Sequence, residues 1–287
     1  MTIKTIYCFL FVFLICVNCC RNNSKTDRYA FITKYNIENS SIDSLNSLTI
    51  GNDEFTFSVD ITGLQTFPES CSVGKSLRTI ADWDWPDGND PENRSRFNLG
   101  IIGLNILKEN GKEISINDIK DPVQKLNLST GEIDSRFNIE GVPVHVMTVC
   151  HPDYDMISVK IISNLLGMKR LRIRINFSTL ASSSSVNNVN SFESYTTKIL
   201  SDTNNLVIFN RSQNKDNYNV IIWCNDADME KVSTEQYYLD PSKADSVYSF
   251  SCQFLKNLET GRIQTFGETE AASKKKWRKF RIIVNGK

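Results

Sequence analysis

The chain has no excess of charge of either sign: 33 lysines and arginines balance 33 aspartates and glutamates. It therefore has no global field to steer it onto a polyanion, and nucleic acid is excluded as an expected partner. Only two histidines are present, His145 and His151. No Ser/His/Asp order, zinc-ligand spacing or phosphate-cradling glycine loop appears, so neither a cofactor nor a metal is expected. Cys71, Cys150, Cys224 and Cys252 are far apart and form no Cys-x-x-Cys pair. An oxidising compartment would permit one disulfide among them. Free core thiols are the other reading, and Cys252 shares a face with Tyr248, Phe250 and Phe254, as a small buried thiol would. Long stretches of 3.6-residue periodicity are nearly absent, which leaves strands as the main element.

What is present begins with a leader. Lys4 supplies a positive n-region and Ile6 to Val17 an apolar run, too short and too near the start for an ordinary spanning helix. Residues 1–20 end in Cys16-Val17-Asn18-Cys19-Cys20, and residues 21–27 form a polar spacer. This pattern suggests a bacterial lipoprotein modified at Cys19 or Cys20, with the membrane as partner through an N-terminal lipid anchor. The residue before the modified cysteine would be Asn18 or Cys19 rather than the usual small residue, so simple cleavage or retention as an anchor stays open.

Residues 28–266 read as one sandwich domain, in which short alternating segments recur between Asn/Asp/Gly/Ser clusters. The cleanest include Glu54–Asp60, with Phe55, Phe57 and Val59 inward, and Glu132–Glu140, which turns at Glu140-Gly141 into Val142–His151. Phe97–Leu107 is a continuous apolar run, as for a strand buried on both faces, and Gly100 and Gly103 suggest bulges or the close approach of a neighbour. Asp118–Lys125 reads as a loop around Pro122. Asp155–Ser163 and Lys169–Ser178 are expected to pair; the latter sets Leu171, Ile173, Ile175 and Phe177 against Arg170, Arg172 and Arg174. The arginine row is either a binding surface or an outer face, solvated or paired with acids on the neighbouring strand. Four further strands are expected at Tyr195–Leu200, Asn205–Asn210, Tyr218–Cys224 and Val247–Leu255. Residues 267–287 contain the one helix-like stretch, with six cations between Lys274 and Arg281. The expected class is an all-β, large antiparallel sandwich with a short C-terminal helical linker.

Four segments carry a resemblance: IGNDEFTFSVDITGLQTFPE (Ile50–Glu69), the DWDW of Asp82–Trp85, LNLSTGEIDSRF (Leu126–Phe137) and TVCHPDYDMISVKI (Thr148–Ile161). Together they resemble the N-terminal β-sandwich of secreted bacterial six-hairpin glycosidase-like proteins, similar to glycoside hydrolase family 65 and its clan. The resemblance covers roughly Arg28 to Phe280. It implies a galactose-mutarotase-type supersandwich in a periplasm-facing or outer-membrane lipoprotein of a Gram-negative bacterium. In such proteins a helical linker with a W-x-x-F-W pattern leads into an (α/α)6 barrel that carries the acid/base chemistry. Trp277 and Phe280 match the pattern and the residues after them do not, so the chain reads as truncated before its barrel.

Glycoside hydrolysis needs two carboxyl groups flanking the scissile bond, roughly 5 to 10 Å apart. Asp82 and Asp84 would point the same way from an extended loop and imply no division into acid and base. The sharper expectation is sugar contact: indole rings match the apolar face of a pyranose, and carboxylates and amides match its hydroxyl rim. Asp82, Trp83, Asp84, Trp85, Asp87 and Asn89 are the candidates, against the alternative that the tryptophans only pack. Carbohydrate is the expected ligand, in a stand-alone binding lipoprotein or beside a catalytic barrel. An aldose-epimerase-like reading would use His145 or His151, for each of which a hydrogen-bonded structural role is the plainer account.

Overall fold

The computed structural model describes residues 32–42, 47–71, 77–83, 98–177, 196–203, 205–213, 216–241, 243–262 and 264–283. A short N-terminal unit, Met1–Tyr35, contributes one described helical turn at residues 32–35, and the main unit is Asn36–Lys287. Cys19 and Cys20 lie outside the described residues.

In the main unit alternation becomes sheet. One sheet has nine strands in the spatial order β1 (Ile37–Asn39), β6 (Lys120–Asn127), β7 (Glu132–Ile139), β8 (Val142–Cys150), β9 (Met156–Ile162), β16 (Val247–Leu255), β13 (Asp216–Cys224), β12 (Leu206–Gln213) and β11 (Thr196–Thr203). A four-stranded sheet runs β14 (Asp228–Lys231), β15 (Gln236–Asp240), β10 (Leu171–Asn176), β5 (Ile101–Ile106). A third pairs β2 (Leu48–Gly51), β3 (Phe55–Val59) and β4 (Thr79–Ala81). Every pairing is antiparallel. One apolar core joins the three sheets: Phe55 and Phe57 from β3, Ile102 and Leu104 from β5, and Val159, Phe250 and Phe254 from the large sheet belong to it. The expected all-β sandwich is thus the observed class.

Some local expectations are corrected. Residues 118–125 do not loop around Pro122; they enter β6. Pro122 falls where the β6–β7 register shifts between Lys120 and Val123, so its missing N–H removes no ladder bond. β9 and β10 do not pair with each other, because the connection between Ser163 and Arg170 carries the chain from the nine-stranded sheet to the four-stranded one. The arginine row is paired: Arg170 meets Glu140, Arg172 meets Glu230 at 2.8 Å, and Arg174 meets Glu113 at 2.8 Å. Cys150 and Cys252 are buried free thiols, and Cys224 is buried beside Tyr248.

The one long helix among the described residues, α1 (Phe266–Ile283), starts from a capping box. The Thr265 N–H donates to Glu268 Oε2 at 2.8 Å, and the Glu268 N–H donates back to Thr265 Oγ1 at 3.3 Å. The helix lies on the outer face of β8, β9 and β16.

Candidate functional site

The segment between β3 and β4 is buried almost throughout, from Asp60 to Pro68. Buried backbone must be satisfied, and Asp60 does much of this. Its Oδ1 accepts from the Thr62 N–H at 2.8 Å and the Thr62 hydroxyl at 2.6 Å, and its Oδ2 from the Phe67 N–H at 2.7 Å. Burial pushes the Asp60 carboxyl above its usual range, and these hydrogen bonds oppose the shift. Gln65 extends the free edge of β5: its N–H donates to the Ile102 carbonyl at 2.8 Å, and its Oε1 accepts from the Ile102 N–H at 2.9 Å. Its Nε2 donates to the Ser58 carbonyl at 3.0 Å, and its side chain meets Thr79 Oγ1 at 3.3 Å. One side chain therefore ties β3, β4 and β5 together.

That clamp holds the start of β4, and β4 delivers the candidate residues. The Asp82 N–H donates to the Glu54 carbonyl at 2.7 Å, leaving the Asp82 side chain exposed. Trp83 turns inward, half-buried against the core. Its indole N–H donates to Asp155 Oδ2 at 2.7 Å, and its ring lies 6.2 Å from that of Tyr218, tilted by 54°. Burial raises the Asp155 carboxyl above its usual range, while hydrogen bonds from Trp83 and Asn52 pull it back. Asn52 also caps the neighbouring turn, donating to the Tyr154 carbonyl at 3.0 Å. The structure thus brings Trp83 together with Asp155, which sequence reasoning missed. Asp84, Trp85, Asp87 and Asn89 lie outside the described residues.

The histidines are apart. His145 is hydrogen-bonded through Nε2 to Asp134 at 2.8 Å, and Asp134 also accepts from Arg136 at 2.9 and 3.2 Å. His151 is buried, stacks on Tyr154 with centroids 4.4 Å apart, and accepts the Asp153 N–H at 3.1 Å. Burial lowers its pKa. Among the described residues no three His, Cys, Asp or Glu side chains converge as a metal centre requires.

A second feature was also missed. Glu132 opens β7 beneath α1, with Glu270 and Lys274 of the helix beside it. Burial first, then the Glu270 charge, pushes the Glu132 carboxyl up to about 7. These two carboxyls are pinned between sheet and helix rather than flanking an open cleft.

The sequence matches no protein-family profile and no curated protein. Its fold is similar to that of a protein assigned as a kojibiose phosphorylase, from the human microbiome, with a TM-score of 0.53 at 11% identity. The match covers 87% of this chain and 38% of that one, so this chain spans well under half of its structural neighbour. At that identity the likeness establishes the fold: an all-β sandwich of the kind found within a glycoside phosphorylase.

Proposed function

We propose that this chain is the sandwich module of an exported, glycosidase-like carbohydrate-active protein, and that it has no hydrolytic or phosphorolytic activity alone. The observation that carries the reading is the fold likeness over 87% of this chain to 38% of a protein assigned as a phosphorylase. The module's role is to position: α1 seats on the sheet as a linker, and Asp82, Trp83, Asp84, Trp85, Asp87 and Asn89 contact sugar. The leader attaches the module to the membrane through a lipid on Cys19 or Cys20.

The test is to read the coding DNA downstream of the Lys287 codon in all three frames and to assay the purified chain on α-linked glucobioses, with and without inorganic phosphate. The expected result is a continuation into paired amphipathic helices with inward-facing carboxylates, and no turnover by the chain alone. Turnover by the chain would overturn the non-catalytic assignment. Absence of any such continuation would overturn the linker role, leaving a stand-alone carbohydrate-binding lipoprotein.

A further inference from the structure

The contact between α1 and the sheet is polar in an unusual way. Thr269 and Ser273 of the helix are buried. The Ser158 hydroxyl of β9 meets Thr269 Oγ1 at 2.8 Å, Ser273 donates to the Thr130 carbonyl at 2.7 Å, and Lys276 donates to the Pro152 carbonyl at 2.9 Å. Under this helix Glu132 turns a carboxylate toward the carboxylate of Glu270. Glu132 Oε2 is buried and has no hydrogen-bond partner among the described residues. Of the helix cations, Lys274 acts on Glu132 but is taken by Glu270 at 2.5 Å in an i, i+4 pair, and Lys276 is engaged by the Pro152 carbonyl and by Asp53.

Two carboxylates beside one cation leave an uncompensated negative charge in a half-buried contact. One proton held between the two carboxyls removes that charge and gives the unpartnered oxygen a hydrogen bond. We propose that Glu132 and Glu270 share a proton across the sheet–helix contact, and that this proton latches α1 to the sheet, so that the helix loosens as pH rises through neutrality.

Among the described residues no other counter-charge acts on Glu132. From α1 the groups acting on Glu132 are Glu270 and Lys274; from its own strand it is Asp134, which Arg136 and His145 already engage. Its cross-strand neighbours, Asn127 on β6 and Val149 on β8, are uncharged. The sign follows from a carboxyl held above its ordinary value: docking strength is full where Glu132 is protonated in both seated and released states. It declines as pH rises through about 7.

Hydrogen exchange of the full chain, read on the α1 amides and corrected for the intrinsic pH dependence of exchange, tests this. Protection of α1 should fall on the order of a hundredfold between about pH 5 and about pH 8, while β16 amides stay protected. Glu132→Gln, which mimics the protonated acid, should keep α1 protected at both values. Equal protection of wild-type α1 at the two pH values would overturn the latch, as would an unchanged pH dependence in Glu132→Gln. A readout independent of any variant is the carboxyl ¹³C titration of Glu132 in the wild-type chain: a midpoint near 7 is expected, and one in the ordinary glutamate range would overturn the proposal.

Discussion

Replacing Gly103 by alanine adds one methyl group in the middle of β5, and the structure says what that methyl meets. An ideal Cβ there would stand 2.5 Å from the Gln65 carbonyl oxygen, 2.8 Å from its carbon and 3.0 Å from Thr66 Cα. All three are backbone atoms, so no side chain can swing aside. The 65–66 backbone is itself tied down by the Gln65–Ile102 pair, by the Leu104 N–H to Thr66 Oγ1 at 3.1 Å, and by Arg174 on the Thr66 carbonyl. Overpacking of this kind costs about 1–3 kcal/mol, and a displaced segment forfeits on the order of one further hydrogen bond at about 1 kcal/mol. A total of about 3 kcal/mol corresponds to a fall in Tm of roughly 6–12 °C for a domain of this size. Gly111→Ala is the control: nothing lies within 4 Å of its Cβ, and φ is +78°, so only the left-handed backbone penalty of about 1–2 kcal/mol applies. Thermal unfolding of both variants separates the mechanisms. A Gly103→Ala protein melting as high as Gly111→Ala would refute the close docking of the Gln65 loop on β5.

Three further outcomes are expected, two from the geometry and one from the leader sequence. Trp83→Phe keeps the ring but removes the donor to Asp155 Oδ2, and should cost about 1–2 kcal/mol near neutral pH. Asp155 already stands above its usual range through burial, so losing that donor raises it further and the cost should shrink in acid, where both proteins carry the protonated acid; unfolding curves at two pH values check this, and a pH-independent cost refutes it. Burial tends to raise the Asp134 carboxyl, but hydrogen bonds from Arg136 and His145 outweigh it and hold it low. Its stabilisation is therefore present above the ordinary aspartate range and lost as pH falls, so Asp134→Asn should cost about 1 kcal/mol near pH 7 and little below about pH 3. Cells fed a labelled fatty acid should label the wild-type chain and not a Cys19→Ser, Cys20→Ser double variant; a labelled double variant would refute lipidation at this pair.

Legibility in the sequence followed locality. β16 was expected at Val247–Leu255 and occupies those residues, because its alternation is long and free of Gly or Pro. The same holds for β7 and for the Glu140-Gly141 turn, where the φ of 82° at Gly141 suits glycine and Glu140 tolerates a φ of 48°. β14 and β15 were illegible for a physical reason: Asp228–Lys231 carries a single apolar side chain, and Tyr237-Tyr238 places aromatic residues on both faces. Pro122 disguised β6 as a loop, since a bulge that excuses the proline cannot be seen before the partner strand is known. For the site, the Asp82–Trp83 pair was legible from composition, but its anchor Asp155 stands 72 residues away. Glu132 and Glu270 come from opposite halves of the chain, and neither alone differs from any surface glutamate.

The chemistry of the α1 seat bears on why a single proton can matter there. A helix docked through leucines would bury on the order of 2 kcal/mol per side chain and would ignore one titration. Here Ser158 meets Thr269, and Ser273 donates to the Thr130 carbonyl, through hydrogen bonds whose net worth is about 1 kcal/mol each. Small side chains also let the helix approach closely. At Gly131, with φ +68°, a Cβ would come within 2.2 Å of Trp277 Nε1 and 3.1 Å of Ser273 Oγ, so the β6–β7 turn admits the helix only as glycine. Orientation is thus specified by fit and hydrogen bonding, while affinity stays modest. Against that background the Glu132 shift, on the order of 2 kcal/mol after solvent screening is discounted, is comparable with the whole polar contact. Gly131→Ala should displace α1 at every pH, whereas deprotonation of Glu132 should displace it progressively as pH rises through about 7. α1 exchange in Gly131→Ala that tracked pH as the wild type does would show that the glycine seat and the carboxyl pair are not parts of one contact.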